Sequence, residues 1–194
     1  MRVQLSARDV SRIGLLVALS VVLTRFLGFM VNVAGVLGLR ISFGEVPIML
    51  AGIMMGPGAG AITGALSDVI GYVINPAGGP YFPGFTLTSA LVGVTPWLVL
   101  RLTGSIKGQG ASAKHQVGFP PLLLAVAVTG LLVSMLLNTY WLHKLYGRAF
   151  LALLPTRLVA RVILVPLHTF ILYVMLRAFQ PSRESLGHTD DTGS

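Results

Sequence analysis

The chain has no cysteine, little charge of either sign and very little acid. Without a thiol there can be no disulfide, no thiolate nucleophile and no Cys-ligated zinc, and the redox compartment leaves no mark. Only 10% of the 194 residues are charged, whereas an average soluble protein carries about 25%. That is too little polar surface to cover a soluble globule, and a hydrophobic content of 54% excludes disorder. The class that remains is a polytopic membrane protein, with one domain for a chain this short. Catalytic signatures are missing as well. There is no HExxH, no GxSxG and no Walker A motif, and the histidines at 115, 143, 168 and 188 are too scattered for a metal set. The expectation is therefore a protein that is not an enzyme and needs no cofactor, with any ATP-driven work done by a partner.

What charge there is leans basic: 14 Lys and Arg against 6 Asp and Glu, a net charge of +8. A nucleic-acid binder would gather these cations into a solvated patch. Here they sit mostly at the ends of apolar runs, as the positive-inside rule describes. Arg2, Arg8 and Arg12 precede an apolar run without a small-residue cleavage site, which reads as a retained first helix rather than a signal peptide.

A spanning helix needs about 20 mostly apolar residues. Ile13 to Met30 is the first such run, interrupted by Arg25. Gly56-Pro57-Gly58 is a turn signal that separates a short helix at Glu45–Met55 from another at Ala59–Ile74. Asn75–Phe85, with three prolines and three glycines, is a loop. Helices at Thr86–Leu102, Pro120–Leu142 and Thr156–Phe179 complete an all-α bundle of six transmembrane helices over residues 1–180. Residues 181–194 form a polar tail, expected to be disordered. Six spans put both termini on one side. That side collects eight cations (Arg2, Arg8, Arg12, Arg101, Lys107, Lys114, Arg177, Arg183) against three opposite (Arg40, Lys144, Arg148), which places the termini in the cytoplasm.

Gly52, Gly56, Gly60 and Gly64 recur at every fourth position, and the stripe continues through Asp68 and Tyr72. Small residues at this spacing let helix backbones approach closely, so packing is their main reading. Asp68 on that stripe is either a functional carboxylate or an internal hydrogen-bonding anchor. Arg25 near the outer end of the first span either snorkels or lines an outward cavity. Arg157 and Arg161 stand one turn apart at the start of the last helix, and with Arg25 and Arg40 they bring four cations to the outer half. Glu45 and Asp68 are the only acids there to answer them, an imbalance that suits an anionic ligand. Tyr81, Phe82, Phe85, Tyr140, Trp141 and Tyr146 gather on the same side. They form either an interfacial belt or a stacking slot for a flat heterocycle, with Asn138 and Thr139 supplying hydrogen bonds.

Several segments together resemble the substrate-binding S components of energy-coupling factor (ECF) vitamin transporters, in particular the folate family. They are LTRFL at 23–27, LRISF at 39–43, GPGAGAITGALSDVIG at 56–71, PAGGPYFPGFTLTSALVG at 76–93, LLNTYWLHKLYG at 136–147 and LLPTRLV at 153–159. The resemblance implies a multi-pass protein of a prokaryotic-type cell membrane that captures a vitamin from outside. It also implies a complex with a transmembrane coupling subunit and two cytoplasmic ATPases, against which the S component reorients. Its small-residue docking pattern on the first helix finds its nearest match in Gly14-x-x-x-Ala18. Arg161 and Glu45 depart from the residues expected of the family.

Folate, with a flat pterin, an aromatic linker and a glutamate, would suit this set. Arg25, Arg157 and then Arg161 would take carboxylates, Asp68 or Asn138 would bond the pterin, and Tyr81, Phe85, Tyr140 and Trp141 would stack. The alternatives are an S component for another heterocyclic vitamin, a membrane-embedded enzyme or an assembly factor.

Overall fold

The computed structural model describes residues 6–26, 28–33, 36–76, 80–107, 114–115, 117–146 and 150–178. The polar tail from Pro181 onward and the cations Arg2, Arg148 and Arg183 lie outside them. The helices are α1 (Ala7–Arg25), α2 (Glu45–Met55), α3 (Pro57–Ile74), α4 (Pro83–Leu102), α5 (Phe119–Val128), α6 (Asn138–Tyr146) and α7 (Phe150–Ala178). A π-helical segment, Thr129–Leu137, joins α5 to α6 without a break. Among the described residues, four helical stretches are long and apolar enough to cross a membrane: Pro57–Ile74, Pro83–Leu102, Phe119–Leu145 and Arg157–Ala178.

Each start and stop has a local cause. A capping box starts α1: the Ser6 side chain accepts from the Asp9 amide, and the Asp9 carboxylate accepts from the Ser6 amide. Proline opens α3 and α4, where a missing N–H costs nothing. Between α2 and α3, Gly56 adopts φ 96°, a conformation open to glycine.

α2 is the centre of the bundle. Its stretch Val46–Ile53 is buried throughout, in keeping with a helix that is apolar all round. Met49, Leu50 and Ile53 meet Leu100 of α4, Leu122 of α5 and Leu172 of α7 in the main core. A smaller cluster, Ile13, Val17, Val21 and Ala59, seats α1 on α3. The glycine stripe brings backbones together. A Cβ at Gly52 or at Gly60 would overlap the Gly93 carbonyl of α4, and one at Gly64 would overlap the Ser89 carbonyl. Beyond Gly64 the buried line runs through Ser67 and Gly71, so Asp68 and Tyr72 sit at its margin, half-buried. Outward faces carry large apolar residues such as Val162, Ile163 and Phe170, as a lipid-facing surface requires.

The bundle adds two short strand pairs to its helices. Strands β1 (Phe29–Val33) and β2 (Val36–Ile41) form an antiparallel hairpin between α1 and α2, so the apolar run to Met30 divides into a helix ending at Arg25 and a strand. A second pair, Ile106–Lys107 with Lys114–His115, ties the connection between α4 and α5. The last helix begins at Phe150 rather than Thr156, which puts Pro155 inside it. In a membrane bundle the carbonyl that proline leaves free can be satisfied by neighbouring groups, so the ring need not end the helix.

Candidate functional site

Buried hydroxyls in this bundle first satisfy themselves. Thr63, Thr88, Thr129 and Thr169 each donate to the carbonyl four residues back. Among the described residues, Ser20 of α1 instead donates to the Gly44 carbonyl at 2.8 Å, and the other side chains that reach across elements include three groups.

The deepest group joins α2, the π segment and α7. Arg161 binds Glu45 as a fork, Nη1 to Oε2 at 2.9 Å and Nη2 to Oε1 at 2.9 Å. This is the one ion pair among the described residues. Ser134 donates to Glu45 Oε1 and also lies against Arg161 Nη2. Gly130 lies beside the guanidinium: a Cβ there would make ordinary contact with Cδ and Nη1 of Arg161 at 3.6 Å. His168, two turns along α7, is 1% exposed and lies edge-on to Phe43. Its Nε2 has no hydrogen-bond partner among the described residues.

One turn from Arg161 toward the start of α7, Arg157 donates to Thr139 Oγ1 at 3.2 Å. Thr139 passes its own proton to the Met135 carbonyl. Arg157 is half-buried and has no carboxylate partner among the described residues. On the same helix as Thr139, Trp141 donates from its indole to Thr88 Oγ1 of α4 at 3.2 Å. Phe82 and Tyr140 pack on Trp141 at ring separations of 5.4 and 4.9 Å, and Phe85 packs on Phe82 at 5.9 Å. Gly84 allows this, since a Cβ there would stand 2.7 Å from the indole. Asn138 is half-buried where the π segment becomes α6; its amide donates to the Met135 carbonyl, and its side chain makes no hydrogen bond among the described residues.

The third group lies between α1, α3 and α4. Arg25 donates to the Asn75 carbonyl at 2.8 Å, across Gly71, and its Nε is buried without a partner among the described residues. Asp68 accepts from Thr86 at 2.7 Å, and Thr86 bonds Tyr81 at 2.7 Å.

The nine ligand-binding candidates therefore separate. Tyr140, Trp141 and Phe85 meet through the ring contacts between α4 and α6, Asn138 stands at the start of α6, Arg157 reaches α6 at Thr139, and Arg161 is neutralised by Glu45. Arg25, Asp68 and Tyr81 belong to the third group. Gly14 and Ala18 both lie on the exposed face of α1, and a Cβ at Gly14 would meet nothing within 4 Å. Ser134, Thr86, Thr88 and His168 join the site from outside the candidate set. Ser134, Thr88 and His168 meet partners far away along the chain, and Thr86 joins nearby Tyr81 to the more distant Asp68. An apolar cleft of about 240 Å³ between α1, α2 and α7 is lined by Leu19, Phe43, Pro47 and Met175 among others, and touches the polar groups only through Phe43, which packs on His168.

Residues 8–176 match the family "ECF transporter, substrate-specific component". A folate transporter, FolT, of Clostridium novyi (strain NT) is 38% identical over 158 residues, covering 81% of each chain. A folate transporter FolT of Leuconostoc mesenteroides is 29% identical over 180 residues, covering 89% of this chain and 86% of its own. Among solved structures, FolT bound with folic acid superposes with a TM-score of 0.71 at 27% identity, covering 90% of this chain and 96% of that one. An S component for biotin shares the fold at a TM-score of 0.59 and 18% identity, covering 91% and 95%. The chain belongs to the family of ECF transporter substrate-specific components, multi-pass proteins of the cell membrane.

Proposed function

We propose that this protein captures folate, or a closely related pterin vitamin, and passes it to an ATPase-driven coupling module. The observation that carries this reading is Arg157: a half-buried guanidinium with no carboxylate partner among the described residues, bonded to Thr139 of α6, the helix that also carries the aromatic cluster on Trp141. A planar fork pairs well with a carboxylate, and an aromatic wall pairs well with a flat ring. Folate carries both on one molecule. The likeness to proteins named folate transporters at 38% and 29% identity supports the same ligand.

In this reading α1 and α2 join the four longer stretches to make six spans in one domain, followed by a polar tail. The cation count puts the termini in the cytoplasm and the hairpin outside. Arg157, Asn138, Tyr140, Trp141 and Phe85 line the pocket, and Arg25 at Asn75 and Asp68 with Tyr81 at Thr86 stand at its mouth. The exposed small residues Gly14 and Ala18 meet a transmembrane coupling subunit, and two cytoplasmic ATPases drive reorientation. The chain itself performs no chemistry. Equilibrium binding of folate to the purified protein tests the reading, with riboflavin, thiamine and biotin as ligands that should fail to compete.

A further inference from the structure

We infer that Glu45, Arg161 and Ser134, with His168 beside them, form a deep subsite that reads the hydrogen-bonding edge of the ligand's heterocycle; this rests on the folate reading. The argument begins with depth. Ser134 lies near the middle of the apolar stretch Phe119–Leu145, so the groups bonded to it lie at mid-span. Yet the node is not sealed: the Glu45 side chain keeps 23% of its surface accessible and that of Arg161 keeps 14%. Charged surface at that depth cannot face lipid, so it must face water or a polar ligand.

The node also has bonding capacity to spare. A carboxylate offers about four lone-pair sites, and Arg161 and Ser134 take three, leaving one on Oε2. The Nε–H of Arg161 and its second Nη1–H make no hydrogen bond among the described residues. His168 Nε2, buried and unpartnered, is a separate sign of a missing polar neighbour. Donor and acceptor positions side by side match a 2-amino-4-oxo pyrimidine edge: the exocyclic amine gives to Glu45, and the ring oxygen takes from Arg161.

The test compares folate with an analogue bearing hydrogen in place of the 2-amino group, on three proteins. Wild type should lose about 10- to 100-fold in affinity for the analogue, since its acceptor is charged. A Glu45→Leu, Arg161→Met double variant, which leaves no unpaired charge, should bind folate more weakly and treat the two ligands alike. Glu45→Gln keeps the shape and one acceptor oxygen but not the charge, so it should discriminate about tenfold less than wild type. If wild type binds folate but does not discriminate, or if either folded variant keeps the full discrimination, the subsite assignment is wrong while folate capture stands. If wild type binds neither ligand, both readings fall.

Discussion

Replacing Gly52 with alanine adds one methyl group at a point where the structure leaves no room. The new Cβ would overlap the Gly93 carbonyl oxygen, with the carbonyl carbon at 2.9 Å. Both belong to backbone, so no side chain can swing aside and α2 must move away from α4. Overpacking of this kind costs about 1–3 kcal/mol. The better helix propensity of alanine offsets at most about 1 kcal/mol of it. Gly14→Ala is the control, because nothing lies within 4 Å of its Cβ. It should gain about 0.4–1 kcal/mol. For a chain of this size each kcal/mol moves Tm by about 2–4 °C. Thermal unfolding in detergent should therefore show Gly52→Ala melting several degrees below wild type and Gly14→Ala at or slightly above it. Equal Tm values for the two variants would refute the claim that the glycine stripe is a backbone-to-backbone contact.

Three further outcomes follow from the polar groups. Arg157→Ala should weaken folate binding by about 10- to 100-fold, the worth of hydrogen bonds to a charged partner. It should weaken p-aminobenzoylglutamate in parallel; unchanged affinity would remove Arg157 from the site. Arg161→Met should destabilise by about 3–5 kcal/mol because it strands Glu45, while Glu45→Leu with Arg161→Met should unfold near the wild-type temperature. Equal melting of the single and double variants would show that the pair is not buried as described. Thr86→Val should release Tyr81 and Asp68 from each other, raising protease sensitivity around Tyr81 with little change in Tm; an unchanged cleavage rate would count against that tether.

The parts of the fold governed by local chemistry were legible in the sequence. Glu45–Met55 has the bounds that Gly56-Pro57-Gly58 implied, and the four-residue glycine period is the α2–α3–α4 contact. The hairpin was hidden because FMVNV continues the apolar run of α1, and hydrophobicity alone cannot tell a short buried strand from a helix end. Pro155 hid the first turn of α7, since a proline that would end a soluble helix is tolerated in a membrane bundle. Nothing in TGLLVSMLL announces a π segment, and its effect on the facing of Ser134 is a matter of packing. The site was half legible. A surplus of outer arginines over acids was visible, but which arginine is neutralised was not. Glu45 and Arg161 are 116 positions apart, and only the folded bundle shows that they pair and leave Arg157 without a carboxylate.

The most direct test of the account is equilibrium binding of folate to the purified protein in detergent, followed by the fluorescence of Trp97 and Trp141. Trp141 forms part of the aromatic wall, whereas Trp97 lies buried in the core, so the signal should come chiefly from Trp141 and vanish in Trp141→Phe. The account predicts saturable binding in the nanomolar range that riboflavin, thiamine and biotin do not displace. Folded protein, freed of retained ligand, that shows no saturable response to folate and no displacement of labelled folate would contradict it.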